Sequence, residues 1–97
     1  MIAISSFSFW EIALLVKRNR LKLSCSVSKW IRVLEALRCT LFIPVDNDIA
    51  VASVELPAGL HQDPADRIIV ATAMVKNIPL VTIDQKIRAY PHIQTIW

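Results

Sequence analysis

The sequence predicts an α/β fold, a parallel β-sheet with helices on both faces. Three observations predict it. Short apolar runs rich in β-branched residues open, divide and close the chain; helical patterns fill the intervals between them; and 55% hydrophobic residues against 20% charged is a mix that builds a core. Strands that alternate with helices imply right-handed crossovers and parallel pairing. Ninety-seven residues make one domain, 1–97, and folding removes only about two-thirds of the unfolded chain's surface from water.

Ile2-Ala3-Ile4 reads as a strand reaching Ser5 and Ser6, residues that start helices. Phe9 to Val16 is apolar all round the wheel except for Glu11, which predicts a buried helix ended by Lys17, Arg18 and Arg20. Val27, Trp30, Ile31, Leu34 and Leu37 recur at helical spacing with Lys29, Arg32 and Glu35 between them, the pattern of an amphipathic helix. Leu41 to Val45 reads as a strand that Pro44, lacking an N–H, pushes toward a sheet edge. Asp46, Asn47 and Asp48 offer caps to a helix running to about Leu56, and Pro57 and Gly59 then break the chain. Asp63 at the cap, Pro64 at the first helical position and Asp66 at the third begin a helix apolar on every face to Val75. Asn77 and Pro79 stop it. Leu80 to Ile83 reads as a buried strand ending at Asp84, and Ile93 to Trp97 as a last short one.

Composition excludes several classes of function. The chain has one glycine where average usage gives about seven, so no glycine-rich phosphate loop is present. Cys25 and Cys39 lack CxxC spacing and lie far from His61 and His92, which leaves a structural zinc cluster without its ligand pairs. The longest unbroken apolar run, Ile12 to Val16, falls far short of the roughly 18 residues of a membrane helix. No cationic stretch precedes it, so the expectation is a soluble cytoplasmic protein. A net charge of +3 permits nucleic acid without demanding it.

In a parallel sheet the strand C-termini and the helix N-termini share one edge, where ligands bind. Of the eight acids, Glu11, Asp46, Asp63, Asp66 and Asp84 fall there, whereas Glu35, Glu55 and Asp48 read as solvated. Glu11 lies in an apolar helix where an unpaired charge is costly and no intrahelical cation is at hand. Two roles are open to it: a metal ligand, or the glutamate of a Ser8 to Glu11 capping box. Asp63 and Asp66 equally suit a well-made helix start, and Asp84 the beginning of a turn. Together, oxygen ligands converging without His or thiolate suit Mg²⁺ or Mn²⁺, and such an ion can generate hydroxide and steady a phosphodiester under attack. Arg67, Lys86 and Arg88 near this edge could meet RNA phosphates, as could Lys17, Arg18, Arg20 and Lys22, for which a solvated helix end is the simpler reading. His61 is placed in the loop before its helix and, like the three tryptophans, is given no chemistry.

Three motifs, the run from Ile4 to Ala13 (Ile-Ser-Ser-Phe-Ser-Phe-Trp-Glu-Ile-Ala), the run from His61 to Ala73 (His-Gln-Asp-Pro-Ala-Asp-Arg-Ile-Ile-Val-Ala-Thr-Ala), and Leu80-Val81-Thr82-Ile83-Asp84, stand in an order that resembles PIN-domain proteins of the VapC toxin type. The similarity runs through Ile87-Arg88-Ala89-Tyr90-Pro91. The resemblance implies a parallel-sheet nuclease fold, Mg²⁺- or Mn²⁺-dependent endoribonuclease activity, homodimers, and inhibition by a cognate antitoxin. Glu11, Asp66 and Asp84 match the family's catalytic, metal-holding acids; Asp63 matches a capping or supporting position, and Thr82 a supporting hydroxyl. The family carries its first catalytic aspartate on an N-terminal strand, within something like Leu-Asp-Thr-His. Here Met1 falls where the family's second strand begins. The expectation is a sheet without that strand, whether through a truncated start, a split protein or a degenerate toxin. The alternative to a ribonuclease is a catalytically dead pseudo-toxin that binds an antitoxin or RNA, and a third reading is an α/β domain whose acids are only caps.

Overall fold

The computed structural model describes residues 2–96. They form nine elements in two compact units, the first ending at Pro44 and the second beginning at Val45.

The first unit contains β1 (Ile2–Ser5), α1 (Ser6–Lys17), α2 (Val27–Glu35) and β2 (Thr40–Ile43). β1 and β2 pair in parallel, Ile2 opposite Thr40 through Ser5 opposite Ile43, with both helices in the crossover. Ser5 closes the strand and caps α1, its hydroxyl accepting the N–H of Phe7 at 3.2 Å. The helix ends where Asn19 takes φ 58°, a left-handed turn that asparagine tolerates, and the Arg20 N–H reaches the Leu15 carbonyl at 2.9 Å. Ser26 caps α2 by accepting the N–H of Lys29. Phe9 joins the layers: its ring lies edge-on to Trp30 of α2 at 6.0 Å and to Phe42 of β2 at 5.2 Å.

The second unit contains α3 (Asn47–Val54), α4 (Pro64–Lys76), β3 (Leu80–Val81), α5 (Gln85–Arg88) and β4 (Thr95–Ile96). β3 and β4 pair in parallel, Leu80 opposite Thr95 and Val81 opposite Ile96. α3 packs along α4, and the core gathers Leu60, Val70, Ile87 and Tyr90, with Leu56, Met74, Leu80 and Ile93 against them. Asp46 caps α3 through the Ile49 N–H at 2.9 Å. α4 begins at Pro64 behind Asp63, as the sequence predicts, and stops where Asn77 takes φ 53°.

The α/β class with parallel strands is borne out; several boundaries are not. α1 begins at Ser6, before the expected Phe9, and none of its residues is buried, with Trp10 57% exposed. A two-stranded sheet and one further helix cannot cover an apolar helix all round. β2 ends before Pro44. β3 is two residues long and not the buried strand expected to Ile83, because Val81 and Ile83 face solvent. The Thr82 hydroxyl accepts the Asp84 N–H and draws the chain out of the ladder into α5, a helix that the sequence does not predict. The expected last strand narrows to Thr95–Ile96, and Trp97 lies outside the described residues.

Candidate active site

The start of α4 is the best-defined polar feature. Asp63 is spent on the helix itself: Oδ1 accepts the N–H of Ala65 at 2.9 Å and of Asp66 at 3.5 Å, groups that would otherwise lack partners. Asp66 stands three positions further on, within the first turn, where the helix dipole favours a negative charge. Its Oδ2 lies 2.7 Å from Nε2 of His61, and both side chains are about one-third exposed or less, 31% and 27%. Donor atoms of His61, Asp63 and Asp66 all lie within 4.8 Å of one another. Among the described residues this is the one grouping of three such donors, and Glu11 and Asp84 are outside it.

The donor chemistry fits a hard divalent cation through its carboxylate oxygens. The imidazole fits less well, since the nitrogen that faces the acids already meets Asp66.

Arg67 follows Asp66 and turns the other way. Nε donates to the carbonyl of Ser53 at 2.9 Å, Nη2 to that of Val54 at 3.3 Å, and Nη1 to those of Leu60 and His61 at 3.4 Å each. Four of the five guanidinium hydrogens are thereby engaged. Arg67 thus clamps the end of α3 to the loop before α4.

Asp84 caps α5, Oδ1 accepting the Ile87 N–H at 3.0 Å, while Thr82 Oγ1 accepts the Asp84 N–H at 3.1 Å and sets the peptide that carries the carboxylate. Asp84, Lys86 and Arg88 are all exposed, the two cations in the last turn of α5. Glu11 belongs to the first unit and is half-buried on α1. Ser5, not Ser8, caps that helix, so the capping-box role weighed for Glu11 loses the cap residue it needed. His61 is the site residue to which the sequence assigns no chemistry. The signal was available: a histidine five residues before Asp66, separated from it by a helix start that bends the chain back.

The PIN-domain family model matches residues 1–93. The chain is 34% identical, in an alignment of 99 residues, to Ribonuclease VapC22 of Mycobacterium tuberculosis (strain ATCC 25618 / H37Rv), covering 99% of this chain and 74% of the relative. A solved toxin-antitoxin complex from Klebsiella pneumoniae contains a chain that is 26% identical and superposes with a TM-score of 0.64, covering 96% of this chain and 72% of the other. Among the described residues no helix is long and apolar enough to cross a membrane. The chain belongs to the PIN-domain family and is similar to its VapC ribonucleases.

Proposed function

We propose that residues 1–97 act as one PIN-like, VapC-type endoribonuclease that hydrolyses RNA phosphodiesters with Mg²⁺ or Mn²⁺, works in the cytoplasm as a homodimer, and is restrained by a cognate antitoxin. The observation that carries this reading is Asp66, a carboxylate that no helix end requires, held by His61 at 2.7 Å beside Asp63. Two likenesses support it: the Mycobacterium tuberculosis relative is a ribonuclease, and the Klebsiella pneumoniae neighbour belongs to a toxin-antitoxin complex.

The acids of the reaction in this reading are Glu11, Asp66 and Asp84. When bound, the cation supplies a Lewis acid that lowers the pKa of water and offsets phosphodiester charge. Asp63 stiffens the turn that presents Asp66, and Thr82 does the same for Asp84. Lys86 and Arg88 follow Asp84 on exposed positions, where they complement the end of α5 and attract an RNA backbone.

The test is cleavage of an RNA panel by the purified chain in Mg²⁺, in Mn²⁺ and in excess chelator. Cleavage that needs the metal and disappears in Glu11→Gln and Asp84→Asn is the expected result. A folded chain that leaves every RNA intact in both metals overturns the ribonuclease reading, and turns attention to a catalytically dead relative that acts by binding.

A further inference from the structure

We infer that His61 is a positioning residue for Asp66: its imidazole fixes the carboxylate, and the loop from Pro57 to His61 is built to hold the imidazole. The inference rests on the proposed function, which gives Asp66 its role.

The surroundings of the ring favour a hydrogen on Nε2. Nδ1 is buried and has no hydrogen-bond partner among the described residues, while Nε2 lies 2.7 Å from Oδ2 of Asp66. A hydrogen on Nδ1 alone would bury an unpaired N–H and aim a nitrogen lone pair at a carboxylate, both unfavourable. A hydrogen on Nε2 makes the ring a donor to the carboxylate and leaves only a lone pair unmatched. The bond engages Oδ2 and stays clear of the second oxygen of Asp66. A donor that fixes a metal-binding carboxylate without competing for all its lone pairs is what an outer partner supplies, and loss of such a partner typically costs about 10- to 100-fold in metal affinity or activity.

The loop that carries the imidazole is held at several points. Leu60 is buried in the core of the second unit. Tyr90 Oη donates to the Pro57 carbonyl at 2.6 Å. Gly59 has φ +117°, a backbone that a side chain rarely adopts, and a Cβ built there would stand 3.7 Å from the Tyr90 ring. The Arg67 guanidinium holds the carbonyls of Leu60 and His61. Arg67 is the residue after Asp66, so one turn of α4 grips the backbone of His61 with one side chain and meets its ring with the next. The imidazole and the carboxylate are thus fixed to each other from both ends.

The experiment combines nitrogen-15 NMR of the His61 ring with Mn²⁺ titration calorimetry and RNA cleavage kinetics of the wild type, His61→Ala, His61→Gln and His61→Asn. The amide nitrogen of glutamine reaches the place of Nε2; that of asparagine, shorter, mimics Nδ1. The wild-type ring is expected in the Nε2–H form. His61→Ala and His61→Asn should weaken Mn²⁺ binding and lower kcat by about 10- to 100-fold, with KM for RNA within about twofold, and His61→Gln should recover to within about threefold of wild type. If His61→Ala does not fold, the glutamine and asparagine variants decide between them. An Nδ1–H ring, or Mn²⁺ affinity equal in wild type and His61→Asn, overturns the positioning role while metal-dependent cleavage by the wild type leaves the ribonuclease reading standing. Glutamine failing as badly as asparagine also overturns it, in favour of imidazole as a direct ligand. A wild type that neither binds Mn²⁺ nor cuts RNA defeats the ribonuclease reading, and this inference with it.

Discussion

Tyr90 donates a 2.6 Å hydrogen bond to the carbonyl of Pro57, thirty-three residues earlier in the chain. The side chain is 1% exposed. Burial pushes its phenol above the ordinary value of 10.0, and the Arg67 guanidinium, the smaller influence, pulls the other way. A folded-state pKa above the unfolded one means that the neutral phenol is favoured by folding. Its contribution is therefore whole below about pH 10 and is lost as pH rises through the folded value. Urea unfolding from pH 7 to 11 should show wild-type stability falling beyond about pH 10. Tyr90→Phe, which leaves the Pro57 carbonyl without its donor, should lose about 1–2 kcal/mol at pH 7 and show a shallower alkaline decline. An equal decline in both proteins would assign it to other groups.

Arg67 makes a related prediction. Its planar fork reaches four carbonyls, two at the end of α3 and two in the loop before α4. An ammonium group on a flexible stem cannot reproduce that fork. Arg67→Lys, which conserves charge, should therefore destabilise the chain by about 2 kcal/mol in denaturant unfolding, and a loss under about 0.5 kcal/mol, the scale of an ordinary surface change, would show the clamp to be idle.

Asp84 has two roles that two substitutions separate. Asparagine caps a helix about as well as aspartate, whereas alanine costs about 1 kcal/mol. Asp84→Asn should keep wild-type thermal stability and lose RNA cleavage; Asp84→Ala should lose both. Full cleavage by the stable Asp84→Asn chain would reduce Asp84 to a cap.

The two serines at the head of α1 are distinguishable in the same way. Ser5→Ala removes the oxygen that accepts the Phe7 N–H and should cost about 1 kcal/mol. Ser8→Ala, inside the helix, should be neutral or slightly stabilising, because alanine is the better helix former. The reverse order in thermal unfolding would restore the Ser8 capping box and with it the structural role of Glu11.

Local chemistry explains what the sequence disclosed. Asp63-Pro64-Ala65-Asp66 specifies a helix start from within four residues, and α4 begins there. The spacing of Val27, Trp30, Ile31 and Leu34 likewise marks α2, which depends on one face alone. The errors arise where a local preference meets a competing partner. Val81-Thr82-Ile83 is a β-branched run and reads as a strand, yet the Thr82 hydroxyl takes the Asp84 N–H and α5 follows. At α1 two serines compete for one cap, and the one that ends a strand wins. The partners of His61 and Arg67 are not legible in the sequence for a common reason: each lies five to fourteen residues away, Asp66 for the imidazole and Ser53 and Val54 for the guanidinium. Residue type shows that such groups can bond, and only the fold shows to what.

The decisive comparison is the rate of RNA cleavage by Asp66→Asn beside the wild type, both in saturating Mn²⁺ and both checked for equal thermal stability. Asp66 caps nothing, so the variant should fold within about 1 kcal/mol of wild type, and its cleavage should fall at least about a hundredfold. A folded Asp66→Asn chain that cuts RNA as fast as the wild type would show that the carboxylate held by His61 does not serve the reaction.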